Sequence, residues 1–231
     1  EVLSIVSLDN LEPTIRFCDD DSWTDSWKRF FKPVNIGDNL WIIPIWEKQI
    51  KLPESAITIY LDPGLAFGTG YHATTALCLT ALEQLLDKTS TIKTVLDVGC
   101  GSGILSIGAN KLKDVTVTAI DNDPQAVTAT KDNIAKNSVD NTVLVSDTPI
   151  DKIDNRFDLV VANIIVDVLY TIAEQLIEKT VSGCHLLLSG IPLDREQQAY
   201  DYFFNCDKNV KLTLKKRKQQ DEWVMLLFNK S

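Results

Sequence analysis

Two glycine clusters hold the residues whose types and spacing could do chemistry. Of the ten glycines in this 231-residue chain, six stand at Gly64, Gly68 and Gly70 and at Gly99, Gly101 and Gly103. Glycine has no Cβ, so a ligand can approach its main chain closely. The run Asp97-Val-Gly-Cys-Gly-Ser-Gly103 follows one apolar stretch and precedes another, in the order strand, turn, helix. At the first strand of a wound sheet such a turn lies in the ligand crevice, with helix-start N–H groups facing an anion. Asp121 ends the next apolar stretch, Ala119-Ile-Asp121, where a carboxylate can accept hydrogen bonds from ribose hydroxyls. Gly99, Gly101 and Asp121 together point to an adenosine-bearing cofactor. The plainer reading is that Asp97 and Asp121 cap strand ends. The dinucleotide fingerprint needs Gly at 104, where Ile104 stands. That spacing favours S-adenosylmethionine but leaves a nicotinamide cofactor open.

These residues need elements to position them. Strands are predicted over 94–98, 115–120, 142–145, 157–162 and 185–188, and helices over 104–112, 124–136, about 166–179, and 193–204. Asp123 before Pro124 marks a helix start, a capping carboxylate followed by proline at the first helical position. Two last strands, 210–214 and 223–228, read as a hairpin. Alternating strands and helices imply an α/β fold, a doubly wound and mostly parallel sheet closed by an antiparallel hairpin. The first 50 residues differ. They carry Trp23, Trp27, Trp41 and Trp46, four of the five tryptophans. Trp23 and Trp27 lie one helical turn apart, followed by Phe30 and Phe31, which predicts a short amphipathic helix. The segment 39–46 is rich in strand formers and interrupted by Pro44, so it is expected at a sheet edge. Few basic residues interleave with these aromatics, so they read as hydrophobic anchors rather than nucleobase platforms. Residues 1–55 form an N-terminal extension and linker, and residues 56–231 the main domain.

Composition narrows the function classes. Hydrophobic residues make up 45% and charged residues 24%, the balance of a folded globular chain. Net charge is −9, from 23 basic and 32 acidic residues, so no direct nucleic-acid binding is expected. No apolar run approaches the roughly 20 residues of a membrane helix, and the N-terminus has no secretory pattern. Five cysteines without a C-x-x-C pair and two histidines suggest neither disulfides nor a metal site. A reducing cytoplasm is expected. Cys100 would need an electropositive setting to be reactive, and the sequence shows none. Ser189-Gly190 is not a nucleophile elbow. Lys215-Lys-Arg-Lys218 is read as a solvated hairpin tip, because Asp221 and Glu222 follow at once.

One further stretch is more specific. Leu61-Asp-Pro-Gly-Leu-Ala-Phe-Gly-Thr-Gly70, with His72 and Thr74-Thr75, joins the 96–105 turn, Ile120-Asp-Asn-Asp-Pro-Gln-Ala126, Val161-Ala-Asn163 and Leu188-Ser-Gly190. Together they resemble the bacterial ribosomal protein L11 methyltransferase (PrmA) family, from about Trp23 to Trp223. The resemblance implies a class I methyltransferase domain with a seven-stranded sheet, preceded by a linker and a recognition domain. Only the linker and catalytic parts are recognisable, and the first residues read as a remnant of the recognition domain. The chain departs from the family at Tyr71-His-Ala-Thr-Thr75, where the usual reading is Thr-His-Pro-Thr-Thr. The resemblance implies S-adenosylmethionine as cofactor, with contacts from Thr75, Gly99, Asp121 and Asn163 and with Gly101 beside them. Phe67 would cover the sulfonium side or simply pack its loop. Thr75 also reads as a helix cap, and Asn163 as a strand-end turn residue. The implied activity is N-methylation of lysine or α-amino groups of a ribosomal protein, with no general base assigned. A methyltransferase for another protein or small amine, a non-catalytic binding module and a nicotinamide oxidoreductase stay as alternatives.

Overall fold

A computed structural model of the chain describes residues 31–47, 50–62, 70–89, 91–139 and 141–231. The helix expected around Trp23 and Trp27, and the loop carrying Gly64, Phe67 and Gly68, lie outside the described residues.

The described chain begins with a small sheet of β1 (Val34–Ile36), β2 (Leu40–Pro44) and β3 (Ile57–Leu61). Strands β1 and β2 form an antiparallel hairpin, and β3 pairs with β2 in parallel. The segment expected at an edge is therefore the central strand. Pro44 tolerates this because β1 pairs with β2 only as far as Ile42, so the missing N–H faces no partner strand. The next N–H, from Ile45, donates to the Leu61 carbonyl at 2.9 Å. Helix α1 (Ala73–Lys88) clamps the hairpin turn, because the buried Glu83 carboxylate accepts from the Asp38 and Asn39 N–H groups, both at 2.8 Å.

The main sheet then alternates with helices as the apolar pattern requires. Its elements are β4 (Thr94–Val98), α2 (Ile104–Leu112), β5 (Thr116–Ile120), α3 (Pro124–Asn137), β6 (Val143–Ser146) and β7 (Phe157–Asn163). There follow α4 (Val166–Thr171), α5 (Ala173–Lys179), β8 (Thr180–Pro192), α6 (Glu196–Asn205), β9 (Leu212–Gln220) and β10 (Trp223–Lys230). Strand order is β6-β5-β4-β7-β8-β10-β9, with β4 to β8 parallel and β10 antiparallel to both neighbours. Side chains alternate between two cores. Val95 packs with α1, α2 and the small sheet, whereas Leu96 and Val98 pack with α4, α5 and α6. By the same period Asp97 belongs to the first face, at the strand tip.

Three further elements differ from expectation. The helix expected over 166–179 is two, broken at Ile172, which takes φ −117° and ψ 14° without the glycine or proline that would mark a break. Strand β8 runs far beyond 185–188 at both ends. The basic run lies inside edge strand β9, and the hairpin tip is Asp221-Glu222, with Asp221 at φ 52°. Lysine and arginine on an unpaired edge discourage pairing with another chain. At the far end of the sheet, Lys230 Nζ donates to the Ile177 and Thr180 carbonyls, both at 2.7 Å, and so caps the C-terminus of α5.

Candidate functional site

The predicted residues converge at the C-terminal tips of β4, β5 and β7. Gly99, Gly101 and Gly103 all take left-handed φ, at 73°, 56° and 79°. The Gly99 and Cys100 N–H groups donate to the Ile120 carbonyl at 2.8 and 3.1 Å, joining the turn to the tip of β5. Asp121 then reaches back, its Oδ2 accepting from the Gly101 N–H at 2.9 Å and its Oδ1 from the Asp123 N–H at 3.0 Å. The acid expected to hold ribose is thus fixed against the glycine turn by the main chain.

Asn163 ends β7. Its Nδ2 donates to Thr75 Oγ1 at 3.4 Å, so two expected site residues 88 positions apart meet. Its Oδ1 is buried and has no hydrogen-bond partner among the described residues. Thr75 is fully buried in the first turn of α1, and its N–H donates to the His72 carbonyl at 3.0 Å. His72 caps the helix: its Nδ1 lies 2.8 Å from Thr74 Oγ1 and its ring stands edge-on to Trp223, centroids 5.1 Å apart. Ala73 therefore starts α1 without proline. The Tyr71 hydroxyl donates to the Lys32 carbonyl. Ile164, which follows Asn163, fills the space over Gly99, where a Cβ would come within 2.3 Å of Ile164 Cγ2.

Asp97 is more than a strand cap. It is 1% exposed, and its Oδ2 accepts from Ser106 Oγ at 2.6 Å. Its Oδ1 has no hydrogen-bond partner among the described residues. Burial pushes its pKa from 3.8 to about 6, helped by the nearby Asp121 charge and opposed by hydrogen bonds from Ser106. The folded chain therefore keeps a proton on Asp97 that the unfolded chain has lost between about pH 4 and about pH 6, and this group's stabilising contribution falls as pH rises through that window. Relative to Asp97→Asn, the wild type is expected to lose about 3 kcal/mol of stability across it, as measured by urea denaturation at each pH. A constant difference would rule out the shifted group.

Burial also pushes the Cys100 thiol up to about 12, away from the thiolate form. Among the described residues no group of three or more histidine, cysteine or acidic side chains is placed to hold a metal. No described helix is long and apolar enough to cross a membrane. A cavity of about 440 Å³ between the β1–β2 turn and the C-terminal half of α1, lined by Asp38, Glu83 and Asp87, contains none of the expected site residues. Sequence reasoning missed Ser106, Thr130 and Asn133 around the turn. Their signal was polar residues on the buried faces of α2 and α3, where amphipathic helices carry apolar ones.

The family model for ribosomal protein L11 methyltransferase (PrmA) matches residues 2–231. The ribosomal protein L11 methyltransferase of Pelobacter propionicus is 39% identical over 221 residues, covering 95% of this chain and 70% of that protein. The one from Geotalea daltonii is 43% identical over 199 residues, covering 83% and 63%. Among solved structures, the ribosomal protein L11 methylase of Lactobacillus delbrueckii subsp. bulgaricus superposes with a TM-score of 0.78 at 29% identity, covering 87% of this chain and all of that one. The N-methyltransferase NodS of Bradyrhizobium japonicum shares the class I fold at a TM-score of 0.54 and 15% identity. With its glycine turn, strand order and closing hairpin, the chain belongs to the ribosomal protein L11 methyltransferase (PrmA) family.

Proposed function

We propose that this chain transfers methyl groups from S-adenosylmethionine to lysine or α-amino groups of ribosomal protein L11. The observation that carries the reading is the pair of buried, unpartnered acceptors, Asp97 Oδ1 and Asn163 Oδ1, beside the glycine turn. Unpartnered buried acceptors cost free energy, and a bound group with positive charge or N–H donors relieves that cost. S-adenosylmethionine fits this donor and acceptor set. Asp121 would hold its ribose, Gly99 and Gly101 would offer the main chain, Asp97 would face its ammonium group, and Thr75 would close the α1 side.

When bound, the cofactor supplies a methyl carbon on sulfonium, a leaving group already activated for in-line displacement. The chain then has to align a neutral amine and exclude water. Asn163 Oδ1 accepts an N–H from the amine and so directs its lone pair. A partly desolvated cleft lowers the pKa of a lysine, which loses its proton to water before the step. Asn163 would thus hold the amine nitrogen toward the methyl carbon, for which the sulfonium sulfur would serve as leaving group. Residues 56–231 carry this chemistry. We take residues 1–55 as the extension and linker, whose later part supplies β1 and β2, and a ribosomal substrate supports a cytoplasmic setting for the reaction. We assign no nucleic-acid or membrane contact to it.

Calorimetry with S-adenosylhomocysteine, followed by labelled methyl transfer to purified L11, tests the proposal. Binding together with label on L11 is expected. Binding without label would favour a non-catalytic module or another acceptor, and NAD binding in place of S-adenosylhomocysteine would point to an oxidoreductase.

A further inference from the structure

Helix α3 approaches the glycine turn with polar side chains on its buried face. Thr130 and Asn133, three residues apart, are 0% and 1% exposed. Thr130 Oγ1 donates to the Gly101 carbonyl at 2.8 Å and lies 3.4 Å from Cys100 Sγ. The Cys100 thiol is protonated at neutral pH and donates in that pair, which leaves the threonine hydrogen for Gly101. Asn133 Nδ2 donates to the Ser102 carbonyl at 2.9 Å, and its Oδ1 accepts from the Asp62 N–H at 3.1 Å, where β3 ends. From the other side Asp121 takes the Gly101 N–H. Gly101 is thus gripped through both of its peptide groups, and the following peptide through its carbonyl. A peptide is planar, so anchoring its carbonyl also fixes the direction of its N–H. Gly103 permits the approach, because a Cβ there would stand 2.7 Å from Thr130 Cγ2.

Valine fills the space of threonine without burying a hydroxyl, so packing alone does not call for Thr130. We propose that Thr130 and Asn133 are positioning residues that set the peptide planes of Gly101 and Ser102 from α3 and thereby shape the main-chain surface that meets S-adenosylmethionine. This rests on the reading of the turn as the cofactor site. Neither residue touches the acceptor amine in this scheme, so cofactor affinity rather than turnover should respond.

The test is Thr130→Val, which keeps the shape and removes the donor to Gly101. We would measure the Kd for S-adenosylhomocysteine, KM and kcat on L11, and the ligand-free thermal midpoint. Kd and the KM for S-adenosylmethionine are expected to rise about tenfold, kcat at saturating cofactor to stay within about twofold, and Thr130→Ser to restore affinity. Asn133→Leu, of similar volume, is expected to show the same split. A lowered thermal midpoint with unchanged Kd and KM in both variants would make the contacts structural only and overturn the proposal. A wild type that binds no S-adenosylhomocysteine would overturn the site assignment as well, which separates the two failures.

Discussion

Replacing Asn163 with alanine is expected to lower kcat for methyl transfer to L11 by about 100-fold, with the KM for S-adenosylmethionine changed by no more than about threefold. The asymmetry follows from how the amide is held. Thr75 Oγ1 takes the Nδ2 side at 3.4 Å, so Oδ1 is the free acceptor, buried at the tip of β7. An oxygen held there orients an incoming N–H and acts mainly when the amine is aligned for displacement. Asn163→Asp gives a second readout. A carboxylate keeps the acceptor but stabilises the protonated, unreactive amine, so its deficit is expected to be large at pH 7 and to shrink toward pH 9. An equal loss of S-adenosylhomocysteine affinity in Asn163→Ala would instead make Asn163 a cofactor contact, the role that the family resemblance implies.

Much of this site was legible in the sequence because its parts are local. Strand β4 and helix α2 lie where the apolar pattern places them, since Thr94-Val-Leu-Asp-Val98 followed by glycines leaves little freedom. Asp123 and Pro124 start α3 as their chemistry requires, with Asp123 Oδ1 accepting from the Gln125 N–H at 2.8 Å. What was not legible depends on contacts distant in the chain. Pro44 argued for an edge, but the edge status of a strand depends on where a partner strand stops, here at Val34 opposite Ile42. The basic run looked like a loop because its charges are solvated, yet an edge strand also offers solvent to alternate side chains, and Arg217 there is paired with Glu196 at 2.6 Å. Thr130 and Asn133 were passed over as two polar residues within the helix predicted over 124–136. Their role appears only when α3 is laid across the turn, about 30 residues away in the chain.

The second large effect concerns the tip of β8, where Leu188-Ser-Gly190 was noted as part of a family pattern and set aside as a nucleophile elbow. Gly190 takes φ 80°, and a Cβ there would stand 2.1 Å from the carbonyl oxygen of Ile164 and 2.7 Å from its carbonyl carbon. These are main-chain atoms of the residue that follows Asn163, so no side-chain rotation relieves the clash. Gly190→Ala must move either the tip of β8 or the 164–165 peptide. Gly183, at the other end of the same strand, provides the control, because it takes φ 84° with nothing within 4 Å of its would-be Cβ. Gly183→Ala meets only the left-handed strain, about 1–2 kcal/mol. Gly190→Ala adds backbone overlap and is expected to cost roughly 4 kcal/mol or more in urea denaturation. The displaced Ile164 carries Asn163 and its Thr75 bond with it, so the surviving folded fraction of Gly190→Ala should also lose turnover, whereas Gly183→Ala keeps it. Equal stabilities for the two variants, or full kcat in Gly190→Ala, would mean that β8 does not buttress the acceptor end of the site.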